Sequence, residues 1–451
     1  MGIDIGTTSV KAVAVDAQGR IVDRARVPHP VVVSAPDHFE HDADRAWRRG
    51  PRRALKRLLP AGVGAVAVSS MLPSLTAVDD KGRPISPGLL YGDARGQTEE
   101  SAAAKAAGNT ADWDTLGFVR WTVGQVPGAA GYWPAPAVAN FAIGGVGVLD
   151  IGSAMSSAPL FRKGTWDAER CASCSVEPGQ LPRVEMLGAP IGKVAGTDVV
   201  LAAGGIDAMC EQMVAGADTP GDVLVICGTT LITWVMSGED SRAPDKQATG
   251  LYTMPGLKPG LWVLGGPSNA GGLFLGWAAR LGGQVRSDDR VDPHDLPVWL
   301  PYVRGERTPL HNPSLRASVH GLNLTHGPAA LQRASWEAAG FVVRHHLDLA
   351  GVPAHRVVAT GGGTRVAGWM QALADCTGLP VHVAEVPEGA ALGAAYLARM
   401  ALGLETSFDG AAGWARTGRI VDPDPAWVDP VSERYAVFRQ LSDRSNLTPA
   451  S

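Results

Sequence analysis

Two stretches of the chain share one rhythm of apolar and polar positions. Residues 2–15 read Gly-Ile-Asp-Ile-Gly-Thr-Thr-Ser-Val-Lys-Ala-Val-Ala-Val, and residues 222–235 read Asp-Val-Leu-Val-Ile-Cys-Gly-Thr-Thr-Leu-Ile-Thr-Trp-Val. Each is a β-rich run, a Gly-Thr-Thr break and a second β-rich run, which predicts a hairpin. After the first hairpin, residues 21–33 alternate as a third strand, 44–59 carry helical spacing, 63–69 form a short buried strand, and 75–79 lead into the turn Asp80-Lys81-Gly82-Arg83. Residues 199–205 predict a strand ending in glycines, followed by a helix at 206–217. The second hairpin is followed by a strand at 261–264, a helix at 271–281 and a long helix at 328–349, with Leu331, Ala334, Ala338, Phe341 and Val342 on one face. A strand at 356–360 feeds Gly361-Gly362-Gly363, and helices follow at 368–377 and 389–400. Residues 100–150 are the least legible. Within them, 124–136 is so rich in Gly, Pro and Ala that a loop or a degenerate subdomain is expected. The tail from Thr406 is polar and Pro-rich, with one short helical piece at 432–441.

This is an α/β layout whose second half repeats the plan of the first. At 451 residues the chain exceeds one ordinary core, so two domains are expected, at 1–217 and 218–451. With 40 basic and 44 acidic residues the net charge is −4, which gives no footprint for nucleic acid or an anionic membrane. The basic cluster of Arg48, Arg49, Arg52, Arg53, Lys56 and Arg57 fits the solvated face of a helix. No run reaches the roughly 18–20 apolar residues of a membrane helix, and Asp4 stands where a leader would be apolar. Cysteine is odd in number, and Cys171 and Cys174 form a C-x-x-C with no second pair to complete a zinc site. A reducing cytoplasm is the expected compartment.

The hairpin turns carry the candidate chemistry. A turn of this kind presents backbone N–H groups and threonine hydroxyls that can hold a phosphate, at Gly6, Thr7 and Thr8 and again at Gly228, Thr229 and Thr230. Two such turns predict similar domains sharing one nucleotide, hence phosphoryl transfer. Asp4, two residues before the first turn, is placed to bind Mg²⁺ directly or through water. Lys11 follows on the outgoing strand. Asp207, in Gly204-Gly205-Ile206-Asp207-Ala208, sits where a strand turns into a helix and is the candidate general base, a role that helix capping does not exclude. A carboxylate is a weak base toward an alcohol, which phosphoryl transfer tolerates because its transition state is loose. Gly361-Gly362-Gly363-Thr364 lacks the G-x-G-x-x-G spacing of a dinucleotide fold, and an adenosine pocket shared with the helix at Gly389 is the better reading.

Taken together, these segments resemble the FGGY family of carbohydrate kinases, in xylulokinase style. The resemblance is carried by Asp4-Ile5-Gly6-Thr7-Thr8-Ser9-Val10-Lys11, by Gly305-Glu306-Arg307-Thr308-Pro309 with Gly321-Leu322 and His326, by Gly361-Gly362-Gly363 with Trp369-Met370-Gln371, and by Glu388-Gly389-Ala390-Ala391-Leu392-Gly393. Weaker echoes are Tyr91-Gly92-Asp93-Ala94-Arg95 and Asp150-Ile151-Gly152-Ser153-Ala154.

The resemblance implies a duplicated actin-like, ribonuclease H-like fold with ATP in an interdomain cleft. The sugar would lie against the N-terminal domain and adenosine against the C-terminal one, whose final tail would pack back on the first. It implies Asp207 as the base, Asp4 as the Mg²⁺ ligand, and Gly6, Thr7, Thr8, Lys11, Gly228, Thr229, Thr230, Gly362, Gly363 and Gln371 as ATP contacts. Met71, Asp93 and Asp207 would touch a small sugar or polyol, with no nucleic-acid or membrane partner and room for a homodimer. The substrate end departs from the pattern. Where xylulokinases show Gln-Met-His-Gly this chain has Ser70-Met71-Leu72-Pro73, and Ala208 replaces the Asn or Gln after the catalytic aspartate. Hydroxyl contacts are thereby lost, so a different or more loosely read ketose or polyol is expected. Two other readings stay open: a sugar-independent ATPase switch of the actin or Hsp70 type, and a sugar-binding module without catalysis.

Overall fold

The computed structural model describes residues 1–35, 38–96, 113–238, 249–286 and 289–447. The chain forms two compact units, Met1–Val214 with Glu388–Trp414, and Ala215–Pro387 with Ala415–Ser451.

In the first unit β1 (Gly2–Ile5), β2 (Ser9–Val15) and β3 (Ile21–Pro28) form an antiparallel meander. Helix α1 (Gly50–Leu58) buries Ala54, Leu55 and Leu58 against β2 and β3, and leaves Arg52, Arg53, Lys56 and Arg57 in solvent. Strand β4 (Ala65–Ser70) lies parallel to β1, and β6 (Val200–Ala202) parallel to β4, with β5 (Pro190–Lys193) antiparallel at the edge. The sheet order is β5-β6-β4-β1-β2-β3. Every residue of β1 and β4 is buried, as expected of strands covered on both faces. Helix α2 (Asp207–Ala215) closes this stretch.

The second unit repeats the scheme with β7 (Asp222–Cys227), β8 (Leu231–Ser237), β9 (Tyr252–Pro255), β10 (Trp262–Ser268), α3 (Gly272–Gly282), α4 (Pro328–Ala350), β11 (Arg356–Thr360), α5 (Ala367–Thr377) and β12 (Val381–Ala384). Helix α6 (Gly389–Ala401) then packs on β1, β2, β4 and β6 of the first unit, after which β13 (Thr417–Val421) and α7 (Pro425–Leu447) complete the second. Its sheet order is β9-β10-β8-β7-β11-β12-β13. Read from β3 and from β10, the six strands run antiparallel, antiparallel, parallel, parallel, antiparallel in both sheets. Two connections differ: β3 follows β2 directly whereas β9 intervenes between β8 and β10, and β5 precedes β6 in the chain whereas β13 follows β12.

Several expectations need correction. Glu388–Trp414 groups with the first unit and Ala415–Ser451 with the second, the division falling after Val214. Residues 97–112 lie outside the described residues; the rest of the least legible region is ordered structure, with helices Trp113–Gln125 and Ala135–Gly144 around a strand at Gly131–Trp133. Pro134 caps the second of these helices and Pro136 sits in its first turn, where the missing N–H breaks no helical bond. The tail is a 23-residue helix, α7. Its burial of Val431, Tyr435 and Phe438 beside Phe341 outweighs its overall polarity. Among the described residues no helix is long and apolar enough to cross a membrane.

A buried ion network fixes α7. Glu337 on α4 accepts from Arg333 Nε at 3.0 Å and from Arg434 on α7 at 2.8 and 2.9 Å, while Arg333 Nη2 reaches Asp375 on α5 at 2.7 Å. Glu337→Ala leaves two buried guanidinium groups without this carboxylate. Urea unfolding should show the second unit destabilised by about 3–5 kcal/mol.

Candidate active site

Strands β1, β4 and β6 run parallel, so their carboxyl ends fall on one edge of the first sheet, the usual ligand side of such sheets. Each end leads into a candidate residue: Gly6–Thr8 after β1, Met71 after β4, and Asp207 beyond β6. Backbone bonds stitch the ends together, with Met71 N–H donating to Ile5 O at 3.3 Å and Ser70 N–H to Gly205 O at 3.4 Å. Met71 is buried, and Asp207 is half-buried at the first position of α2, where the helix dipole favours an anion.

Asp4 and Lys11 face one another across the β1–β2 ladder, with Nζ 3.7 Å from Asp4 Oδ2. Burial pushes the Asp4 carboxyl above its ordinary range, and Lys11 opposes the shift. Burial also pushes the Lys11 ammonium down, but Asp4, Glu211, Glu388 and Asp207 together leave it above its ordinary value. One ammonium therefore sits in the field of four carboxylates. Asp4 Oδ1 is buried with no hydrogen-bond partner, which fits an oxygen meant for a hydrated cation. Among the described residues no group of three or more His, Cys, Asp or Glu gathers as a metal cage. A single carboxylate suits Mg²⁺, which takes most of its ligands from water and phosphate.

The first Gly-Thr-Thr turn rests on side chains that sequence reading missed. His41 Nδ1 accepts from Trp47 Nε1–H at 3.0 Å, so its proton is on Nε2, which donates to Thr7 O at 2.7 Å. The backbone N–H of His29 donates to Thr8 O at 3.0 Å, and the His29 and His41 rings meet edge to face at 4.5 Å. A trans peptide points its C=O and N–H in opposite directions, so pinning the Thr7 carbonyl inward turns the Thr8 N–H outward. Thr8 is exposed. Thr7 is buried, and its hydroxyl is bonded to Tyr91 Oη at 2.5 Å, which gives it a structural task. Asp93 is fully buried, with one oxygen on Phe39 N–H at 2.7 Å and both on Arg95. The structure thus gives its carboxylate an anchoring task too.

In the second unit, Gly228–Thr230 joins β7 and β8, and the first turn of α3 lies beneath it. Gly272 N–H donates to Gly228 O at 2.9 Å and Leu273 N–H to Thr229 O at 3.0 Å. The glycine run after β11 divides its roles. Gly361, at φ +88°, lies against the Cys227 backbone, and a Cβ on Gly363 would sit 2.1 Å from the Trp369 ring, whereas one on Gly362 meets nothing within 4 Å. Gly362 is thus the glycine with open space for a ligand. The Gln371 amide donates to Asp375 Oδ1 at 2.9 Å and Asp422 O at 3.0 Å, tying α5 to the chain before α7.

Two copies of one strand order, each with its Gly-Thr-Thr hairpin, define a duplicated actin-like, ribonuclease H-like α/β protein. Residues 1–123 match the N-terminal domain, and residues 223–402 the C-terminal domain, of the FGGY family of carbohydrate kinases. The chain is 26% identical to the xylulose kinase of Escherichia coli over 90% of its own length and 91% of that protein's. It is 26% identical to the gluconokinase of Bacillus subtilis over 91% and 88%. The crystal structure of ligand-bound xylulose kinase from Lactobacillus acidophilus superposes with a TM-score of 0.81, at 19% identity, over 99% of this chain and 98% of that one. The chain belongs to the FGGY family of carbohydrate kinases, which decides against the ATPase-switch reading.

Burial, then the neighbouring His29, lowers His41 from 6.5 to about 4. The unfolded chain takes up this proton near pH 6.5 and the folded chain only near 4, so stability is lost as pH falls across that window. The loss is about 1.4 kcal/mol per pH unit. Urea unfolding between pH 7 and 4.5 should show this increment for the wild type and its absence in His41→Gln.

Proposed function

We propose that this kinase transfers the γ-phosphoryl group of ATP to a primary hydroxyl of a small sugar, sugar acid or polyol, with Asp207 as general base. The reading is carried by one observation: Lys11 lies in the field of Asp4, Glu211, Glu388 and Asp207, beside the phosphate turn. These carboxylates, of which Glu388 also pairs with Arg24 at 3.6 Å, repel bare phosphate and favour phosphate that arrives with a divalent cation.

Asp4 would hold Mg²⁺, its unpartnered Oδ1 supplying the ligand directly or through water. When bound, the ion offsets charge on the transferred group. Thr8 and its outward N–H hold phosphate in the first unit, with Lys11 as counter-charge. Thr229 and Thr230 do so in the second, where Gly362 gives adenosine room. Asp207 accepts the proton of the attacking hydroxyl. The acceptor rests on Met71 and on the neighbourhood that Asp93 fixes, with Leu72 and Ala208 contributing apolar surface. The relatives named for xylulose and gluconate bracket the acceptor class without singling one out. All five cysteines are buried thiols, which supports a reducing, cytoplasmic setting.

Pentuloses, hexuloses, aldonates and alditols should be screened by coupled ADP release. With the best acceptor, Asp207→Ala should lower kcat by about 10²–10⁴-fold, with MgADP affinity unchanged within about threefold. A loss of less than tenfold would remove Asp207 from the role of base.

A further inference from the structure

The block Gly305-Glu306-Arg307-Thr308-Pro309 carries family resemblance but has no place in the chemistry above. Glu306 is 3% exposed, yet none of its immediate hydrogen-bond partners belongs to the sugar side. Its Oε2 accepts from the Ser268 hydroxyl at 2.8 Å, and its Oε1 from the backbone N–H of Asn269 at 3.0 Å and of Arg307 at 2.7 Å. Asn269 returns the contact, its Nδ2 donating to Arg304 O at 3.1 Å and Gly305 O at 3.2 Å. Burial pushes the Glu306 carboxyl up to about 7, and the Asn269, Ser268 and Arg307 donors pull against that rise.

Ser268 ends β10 and Asn269 follows it, and after Ala270 and Gly271 the chain enters α3. Ser268 pairs with Leu231 in the ladder, and its Oγ also accepts from Ala270 N–H at 3.0 Å. Gly271 then passes so close to the phosphate turn that a Cβ on it would lie 2.3 Å from the Thr230 carbonyl carbon. The next two N–H groups, of Gly272 and Leu273, hold the carbonyls of Gly228 and Thr229. By peptide planarity those two bonds point the N–H groups of Thr229 and Thr230 away from α3, the orientation a phosphate site requires.

We propose that Glu306 is a positioning residue for nucleotide binding: it fixes the β10–α3 junction, and the junction aims the Gly228–Thr230 turn. This rests on the reading of that turn as a phosphate site. A carboxylate offers acceptors alone to its donors. Glutamine in its place can keep one oxygen on the Asn269 and Arg307 N–H groups, but it turns an amide N–H₂ on the Ser268 hydroxyl, which loses its acceptor and must reorient, loosening the junction.

The test is titration calorimetry of the full chain with MgADP, beside thermal unfolding and steady-state kinetics. Glu306→Gln should weaken MgADP binding at least tenfold and raise KM for ATP in parallel, leaving KM for the phosphoryl acceptor unchanged. Tyr302→Phe, three residues before the block, is the control. Its hydroxyl bonds Ser442 on α7 at 2.7 Å, so its loss should lower the unfolding midpoint and leave MgADP affinity within twofold. If Glu306→Gln does not fold, Ser268→Ala removes the hydroxyl that donates to Glu306 and accepts from Ala270 N–H, and should weaken MgADP binding at least threefold. MgADP affinity within twofold of wild type in the folded variant would overturn the positioning role. Failure of the unaltered chain to bind MgADP would overturn the nucleotide reading itself, and the positioning role with it.

Discussion

The first unit depends on one rung of its sheet, where Asp4 and Lys11 stand opposite each other. A carboxylate buried in a central strand costs several kcal/mol unless charge and hydrogen bonds compensate. Lys11 compensates Asp4 only in part. Its ammonium is 3.7 Å away, and it answers to Glu211, Glu388 and Asp207 as well. Glu388 has Arg24 as a second partner at 3.6 Å, but Asp4 has only Lys11, and its Oδ1 is left without a bond. Packing alone gives no reason to keep such an arrangement, because an apolar pair would fill the same space at lower cost. A site that receives a cation together with anionic oxygens does give one.

The two Gly-Thr-Thr hairpins show how one backbone device can be supported in two ways. Each requires that the turn carbonyls face the protein, so that amide N–H groups face out. In the first unit that restraint comes from His41 on the Thr7 carbonyl and from the His29 N–H on the Thr8 carbonyl. In the second unit the same work falls to the N-terminus of α3, through the N–H groups of Gly272 and Leu273. A helix start has unsatisfied N–H groups to give, and here they go to the turn. The duplicated sheets therefore preserve the function of the turn while the residues that aim it differ.

This difference also explains what the sequence made legible. Hairpins, sheet strands and the amphipathic helix α4 were readable because their periodicity is local. The Gly-Thr-Thr repeat was readable because it occurs twice. Roles that depend on distant partners were not. Nothing near Thr7 announces that its hydroxyl bonds Tyr91, 84 residues on, and nothing near Gln371 announces Asp422. A lone histidine at 41 carries no signal without Trp47 and the Thr7 carbonyl in view. The helix α7 was masked because only one of its faces is apolar, and the return of Glu388–Trp414 to the first unit because a buried helix reads alike wherever it packs. The Gly-Glu-Arg-Thr-Pro block was recognisable as a pattern, but its task appears only once Glu306 is seen bound to Ser268 and Asn269.

The acceptor end follows from the same physics with the opposite emphasis. In the proposed site phosphate and cation are held by backbone and charge, whose donors and acceptors are numerous and fixed. The acceptor must be read by side chains, and at two positions where xylulokinases present polar groups this chain presents Leu72 and Ala208. A pocket that hydrogen-bonds a hydroxyl rejects an analogue lacking it by about 10⁴–10⁵-fold, because its own buried groups are stranded, whereas an apolar wall rejects an added hydroxyl by only about 10²-fold. Exchanging the first kind of contact for the second trades discrimination for tolerance. Under the proposed chemistry, selectivity then passes to shape around Met71 and to the fixed position of the Asp207 carboxylate, which accepts a proton only from a hydroxyl brought within hydrogen-bond reach.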